Sequence, residues 1–132
     1  MNIHEELFVK NFIVPQKRER YLSMLSSQKM REKILENFYH LNDLDERFMI
    51  RVPNDKQQTQ NIYGLLKEKK SHDICYFIST DSEIDGKELD LLEVLENKVD
   101  ECYDGTIVSC IAGKLAYYEG ESPGERYILE KK

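Results

Sequence analysis

The segment Thr80-Asp-Ser-Glu-Ile-Asp-Gly86 carries the residue types best suited to chemistry. Asp81, Glu83 and Asp85 alternate and Gly86 follows, as in the first half of a calcium-binding loop, where they would be its first, third and fifth ligands. The second half breaks the pattern. The position that must supply a bidentate carboxylate is Leu92, and the residues before the loop read as a strand where a helix belongs. Two uses of the loop remain. Asp85-x-x-Glu88 has capping-box spacing, with Thr80-x-x-Glu83 as a competing cap, so the carboxylates can serve the exposed N–H groups of a helix start. Alternatively, Asp81, Glu83 and Asp85 hold a hard divalent cation beyond the end of a strand, in an enzyme or a metal sensor. Capping is the commoner use of acidic residues there.

Other reactive side chains are less well placed for chemistry. Ser109-Cys110 lies in a strand-like run without the glycines of a nucleophile elbow, and nothing nearby in sequence supplies a base. His72 and Cys75 lack a second ligand pair at zinc spacing. His4 and His40 fall on expected helices, where half-exposed histidines are ordinary, and no glycine-rich phosphate cradle occurs. Cys75, Cys102 and Cys110 are odd in number, and two sit in apolar runs, which suits buried thiols rather than a disulfide framework. Tyr117, Tyr118 and Tyr127 suit sheet packing, with Tyr118 the candidate for an aromatic surface because it should point opposite to Tyr117.

Charge separates along the chain. Residues 1 to 71 hold 13 Lys/Arg against 10 Asp/Glu, whereas residues 72 to 132 hold 6 against 15. Glu93, Glu96 and Asp100 recur at helical spacing and form an acidic ridge whose natural complement is a basic protein partner. Arg18, Arg20, Arg31 and Lys33 belong to a basic N-terminal cluster that two short helices could present to nucleic acid. That use is disfavoured, because the helix joint lacks glycine and the acidic second half repels a phosphate backbone.

These groups must be positioned by helices first and strands later. Ile3, Leu7, Phe8 and Phe12 predict a helix over residues 2–13; Val14-Pro15 opens a second with Tyr21, Met24 and Leu25 buried; Met30, Ile34, Leu35, Phe38 and Leu41 mark a third, with Ser27 as its cap. Arg47–Val52 reads as a short strand or extended connection, residues 55–70 as a helix, and Ile74–Ile78 as a strand covered on both faces. A helix over Lys87–Tyr103 is expected to bury Leu92, Leu95, Val99 and Cys102 and to cross over to a strand at 106–111. The strands at 114–119 and 125–129 follow glycine-bearing turns. The expected fold is α+β: an N-terminal helical lobe of about three helices, then a small mixed sheet with a βαβ unit and a C-terminal antiparallel meander, within a single domain over 1–132.

The terminal run Ser109-Cys-Ile-Ala-Gly-Lys-Leu-Ala-Tyr-Tyr-Glu-Gly-Glu121, with Glu125-Arg-Tyr-Ile-Leu129, resembles the tail of an uncharacterised bacterial protein family. The resemblance implies a bacterial cytoplasmic protein and brings no activity, ligand or site residue with it. Glu5 and Glu6 near the start, where a secretory signal needs a basic and then an apolar run, fit the same compartment. The expectation is a non-catalytic binding or regulatory domain using its acidic surface, with no cofactor required and a divalent cation as the alternative.

Overall fold

Short helices form first because their apolar residues recur on one face and their ends are marked. In the computed structural model, which describes residues 1–99, 104–122 and 124–132 without the side chains of Lys98 and Val99, α1 spans Ile3–Phe12. Its N-cap, Asn2, accepts the His4 N–H at 2.7 Å. Pro15 begins a 3-10 turn that feeds α2, Arg18–Leu25, which buries Tyr21, Met24 and Leu25. The Ser27 hydroxyl accepts the Met30 N–H at 3.2 Å in the turn ahead of α3, Arg31–Leu35, whose N-cap is Met30 rather than the expected Ser27, and 3-10 turns continue to His40.

The remaining elements are β1 (Met49–Arg51), α4 (Thr59–Glu68), β2 (Ile74–Ser79), β3 (Lys87–Asp90), α5 (Leu91–Val94), β4 (Thr106–Ile111), β5 (Leu115–Glu119) and β6 (Arg126–Glu130). A π-helical segment, Leu95–Val99, prolongs α5. The six strands make one sheet in the order β1-β6-β5-β4-β2-β3, and every pairing is antiparallel. The α+β class, the N-terminal helices and the C-terminal meander are as expected.

The mixed sheet and the hydrogen-bonded βαβ unit are corrected. β2 and β4 pair antiparallel, with Tyr76 opposite Ser109 and Ser79 opposite Thr106. The expected helix from Lys87 fails because Lys87–Asp90 turns back on β2 as strand β3, with Phe77 opposite Lys87 and Ile74 opposite Asp90. Gly86, at φ 75°, makes that reversal possible without a Cβ clash. Since β3 and β4 are both antiparallel to β2, they run parallel to each other, and α5 carries the chain between them over the intervening strand.

Alternation along the central strands sends side chains to two apolar layers. Tyr76, Ile78, Ile107, Ala116, Tyr118 and Leu129 pack with Phe8, Phe12, Tyr21, Ile34 and Phe38 of the N-terminal helices. Cys75, Phe77, Val108, Cys110, Tyr117 and Ile128 pack with Ile62 and Leu66 of α4 and with Leu91, Val94 and Leu95. Helices thus cover both sheet faces, and each fully buried Leu, Ile or Phe contributes about 1.5–3 kcal/mol of transfer free energy. Gly105 permits one close approach: a Cβ there would lie 2.2 Å from the Phe38 carbonyl.

A polar network fastens the helical lobe to the sheet. Arg31 donates from Nη1 and Nη2 to the two oxygens of Glu5, each at 2.8 Å, and from Nε and Nη2 to Asp85 at 2.9 and 3.0 Å. Tyr76 donates to Glu5 from β2, and the Ser79 N–H donates to Asp85 at 2.9 Å. Glu5 is only 3% exposed, and these donors replace the water that its carboxyl oxygens lose on burial. Among the described residues no helix is long and apolar enough to cross a membrane.

Candidate functional site

With both sheet faces occupied by helices, two of the concave surfaces lie at the sheet edges. At the β3 edge, Ile84, Leu89 and Val94 floor a cleft of about 180 Å³ whose rim includes Asp90, Glu93 and Asn97. Its shape follows from local sequence. Asp81 accepts the Glu83 N–H at 2.9 Å, and the Asp81 carbonyl accepts the N–H groups of Ile84 and Asp85, so the loop makes one tight turn that buries Ile84. Asp90 then caps α5 by accepting the Glu93 N–H at 3.0 Å. That cap fixes Glu93 and Val94 beside Leu89.

Glu93 and Glu96 are exposed, and Glu96 accepts the Gln60 amide at 3.3 Å. Asp100 lies outside the described residues. The buried side of this segment is Leu91, Val94 and Leu95, with Leu92 half-buried, because the helix starts at Leu91 rather than Lys87. The acidic side still faces outward. Sequence reasoning missed Asp90 as a member of this surface, although Asp85-Gly86 is a hairpin-turn signal that would have placed it at the end of a strand.

The loop carboxylates separate. Asp85 turns inward to Arg31 and Ser79, so neither an Asp85 capping box nor a cation held jointly by Asp81, Glu83 and Asp85 matches the geometry. Thr80 bonds Asp104 at 2.9 Å and accepts the Gly105 N–H at 3.1 Å instead of capping a helix. Among the described residues, no three His, Cys, Asp or Glu side chains converge as metal ligands would.

Tyr118 is also corrected. It points opposite to Tyr117 as strand alternation requires, but it is 1% exposed under the N-terminal helices. Its hydroxyl donates to the Phe38 carbonyl at 2.7 Å and accepts the Leu41 N–H at 2.9 Å, so it braces the lobe instead of forming an aromatic surface. Of the basic cluster, Arg31 is committed to Glu5 and Asp85, and Arg18 donates to the Ile13 carbonyl at 2.8 Å, which leaves fewer cations facing outward than the sequence suggests.

The fold supplies a distant base that sequence proximity could not reveal: His4 Nδ1 lies 2.8 Å from Ser109 Oγ. Ser109 is 1% exposed in the middle of β4, and the His4 ring stacks on Tyr76, with centroids 5.4 Å apart. Burial holds His4 below its ordinary pKa, against the pull of nearby Glu88. The pair is a packing contact without substrate access. His40 is the opposite case, because its ring nitrogens meet Glu125 at 2.8 Å and Glu121 at 2.9 Å, and the Glu125 hydrogen bond leads the rise in its pKa.

At the other sheet edge, a groove of about 620 Å³ runs between β1 and α4. Ile50, Val52, Leu65 and Ile128 line it, with Arg51 and Lys56 at its rim. Arg51 donates to Asn54 at 3.1 Å, and Lys69 is paired with Glu130 at 2.9 Å. Cations thus outnumber Glu68 among the charged residues lining this groove, whereas the charged residues lining the β3 cleft are Asp90 and Glu93. Against these features, no family model, no curated protein and no solved structure matches the chain.

Proposed function

We propose that this chain is a non-catalytic binding domain that meets a basic protein partner at its β3–α5 edge. The supporting observation is the joining of an apolar cleft, floored by Ile84, Leu89 and Val94, to the exposed carboxylates of Asp90, Glu93 and Glu96. An apolar floor gives one anchoring side chain somewhere to leave water, and the acidic rim selects the charge of what surrounds it. The cleft volume suits a single Leu- or Met-sized anchor, with Lys or Arg beside it. β3 also ends the sheet, so its outer backbone edge is open to an added strand.

The test is an NMR titration with short synthetic peptides that place one Leu or Met among Lys and Arg residues. Shifts should centre on Ile84, Leu89 and Val94, weaken as salt is raised, and vanish in Glu93→Lys with Glu96→Lys. Binding that is indifferent to those reversals, or shifts centred elsewhere, would remove the basis of the reading.

A further inference from the structure

The second apolar layer contains two thiols with no part in the edge cleft. Cys75 is 1% exposed on β2, Cys110 is 0% exposed on β4, and both are free. The β2–β4 ladder ends at Tyr76 opposite Ser109; extended one step in that register it sets Cys75 against Cys110, and both lie in the apolar layer covered by α4. Residues directly opposite on antiparallel strands have Cα atoms about 4.5–5.5 Å apart, inside the roughly 4.4–6.8 Å that a disulfide spans.

The way in is through the loop after α4. Cys75 Sγ touches the Ser71 hydroxyl at 3.7 Å and the His72 carbonyl at 3.4 Å, so this loop covers it from solvent. Lys67 fastens the loop by donating to the Ser71 carbonyl at 3.0 Å and to Asp73 at 2.5 Å. The Asp73 side chain is 74% exposed, which makes the clasp a surface contact that opens without disturbing the sheet.

We propose that Cys75 and Cys110 form an oxidisable dithiol that closes to an intrachain disulfide when a peroxide-class oxidant passes the Lys67–Asp73 clasp. The Cys75 thiolate attacks one peroxide oxygen, the O–O bond breaks and hydroxide leaves, giving a sulfenic acid on Cys75. Cys110, losing its proton, attacks the Cys75 sulfur, the S–O bond breaks, and the second oxygen departs as water. Two thiols and one peroxide thus become one disulfide and two waters. The order of attack follows from the surroundings: hydrogen bonding from Cys110 lowers the Cys75 pKa, assisted by Ser71 and Lys67, whereas contact with Cys75 and complete burial raise that of Cys110. This inference is independent of the partner-binding reading.

Hydrogen peroxide applied to the folded chain is the test, read by intact mass and by peptide mapping without reductant. The expected result is a loss of about 2 Da, a peptide linking Cys75 to Cys110, and the same product in Cys102→Ser. Cys110→Ala should stop the reaction at a Cys75 sulfenic acid trapped by dimedone. Asp73→Asn, which loosens the clasp and keeps Lys67, should speed oxidation several-fold. A link through Cys102, or thiols that react only after the chain is unfolded in denaturant, would overturn the proposal.

Discussion

Replacing Arg31 by methionine tests the connection between the helical lobe and the sheet. The guanidinium donates twice to Glu5, twice to Asp85 and once, at 3.0 Å, to the Leu25 carbonyl. Methionine keeps much of the aliphatic stem but strands the Glu5 carboxylate with Tyr76 as its remaining side-chain donor. Removing one partner of a buried pair costs about 3–5 kcal/mol. The Arg31 and Asp85 side chains retain 21% and 16% exposure, so solvent screens part of the loss and the lower end, about 3 kcal/mol, is expected. Urea unfolding should show that loss with an unchanged m value, and the melting temperature should fall by about 10 °C. Adding Glu5→Gln removes the stranded charge, so the double variant should recover about 1–2 kcal/mol relative to the sum of the singles. A cost for Arg31→Met below about 1 kcal/mol, or strict additivity in the cycle, would refute the network as a fastening device.

Tyr118→Phe leaves the Leu41 N–H without its hydroxyl partner inside the first apolar layer, and should cost about 1–3 kcal/mol in chemical denaturation; a change near zero would contradict the bracing role. Gly105→Ala drives a Cβ into the Phe38 backbone and should destabilise by about 1–3 kcal/mol, a loss that calorimetry would detect. NMR titration should find His40 above and His4 below the ordinary histidine value. The stabilising effect of His40 is complete below its unfolded pKa of about 6.5 and is lost as pH rises through its higher folded pKa. Comparing wild type with His40→Gln across that window should therefore show the difference shrinking towards alkaline pH, and a difference that grows would refute the assignment. Oxidising Cys75 and Cys110 closes a loop of roughly 35 residues and should stabilise the fold by up to about 4 kcal/mol in the chain-entropy view, measured by denaturation with and without reductant.

The legible parts of the fold were those whose signals are local. Phe8 and Phe12, and later Ile34 and Phe38, repeat at helical spacing, Pro15 marks a helix start and Ser27 the turn before one, and Gly113 separates β4 from β5. β3 escaped because Lys87-Glu-Leu-Asp90 is short and polar on an edge, while Leu89, Leu92 and Leu95 also fit a helix. Pairing direction is non-local: nothing within Ile74–Ser79 or Thr106–Ile111 says which edge of β2 the returning chain will join. The exposure of Glu93 and Glu96 was readable from period alone, but the apolar floor beside them was not, because Ile84 and Val94 meet only after the hairpin forms. Asp85 shows the converse, since its partner Arg31 lies 54 residues away and removes a carboxylate that the loop pattern offered to a cation.

The charge asymmetry of the chain acquires a spatial meaning from the strand order. Helices cover both faces of the sheet, so its two ends are the places where backbone and apolar side chains remain open together. β1, near the boundary of the basic half, brings Arg51 to one end, and β3, from the acidic half, brings Asp90 to the other, beside Glu93. A partner attracted to one end is repelled by the opposite one, so the same charges that raise the encounter rate also orient the approach. Edge-strand charge further opposes indiscriminate pairing between copies, because any added strand must first match the local sign. The short, polar character of β3 that hides it from pattern reading thus also limits what can bind there, leaving the apolar floor to discriminate among the basic segments that charge admits.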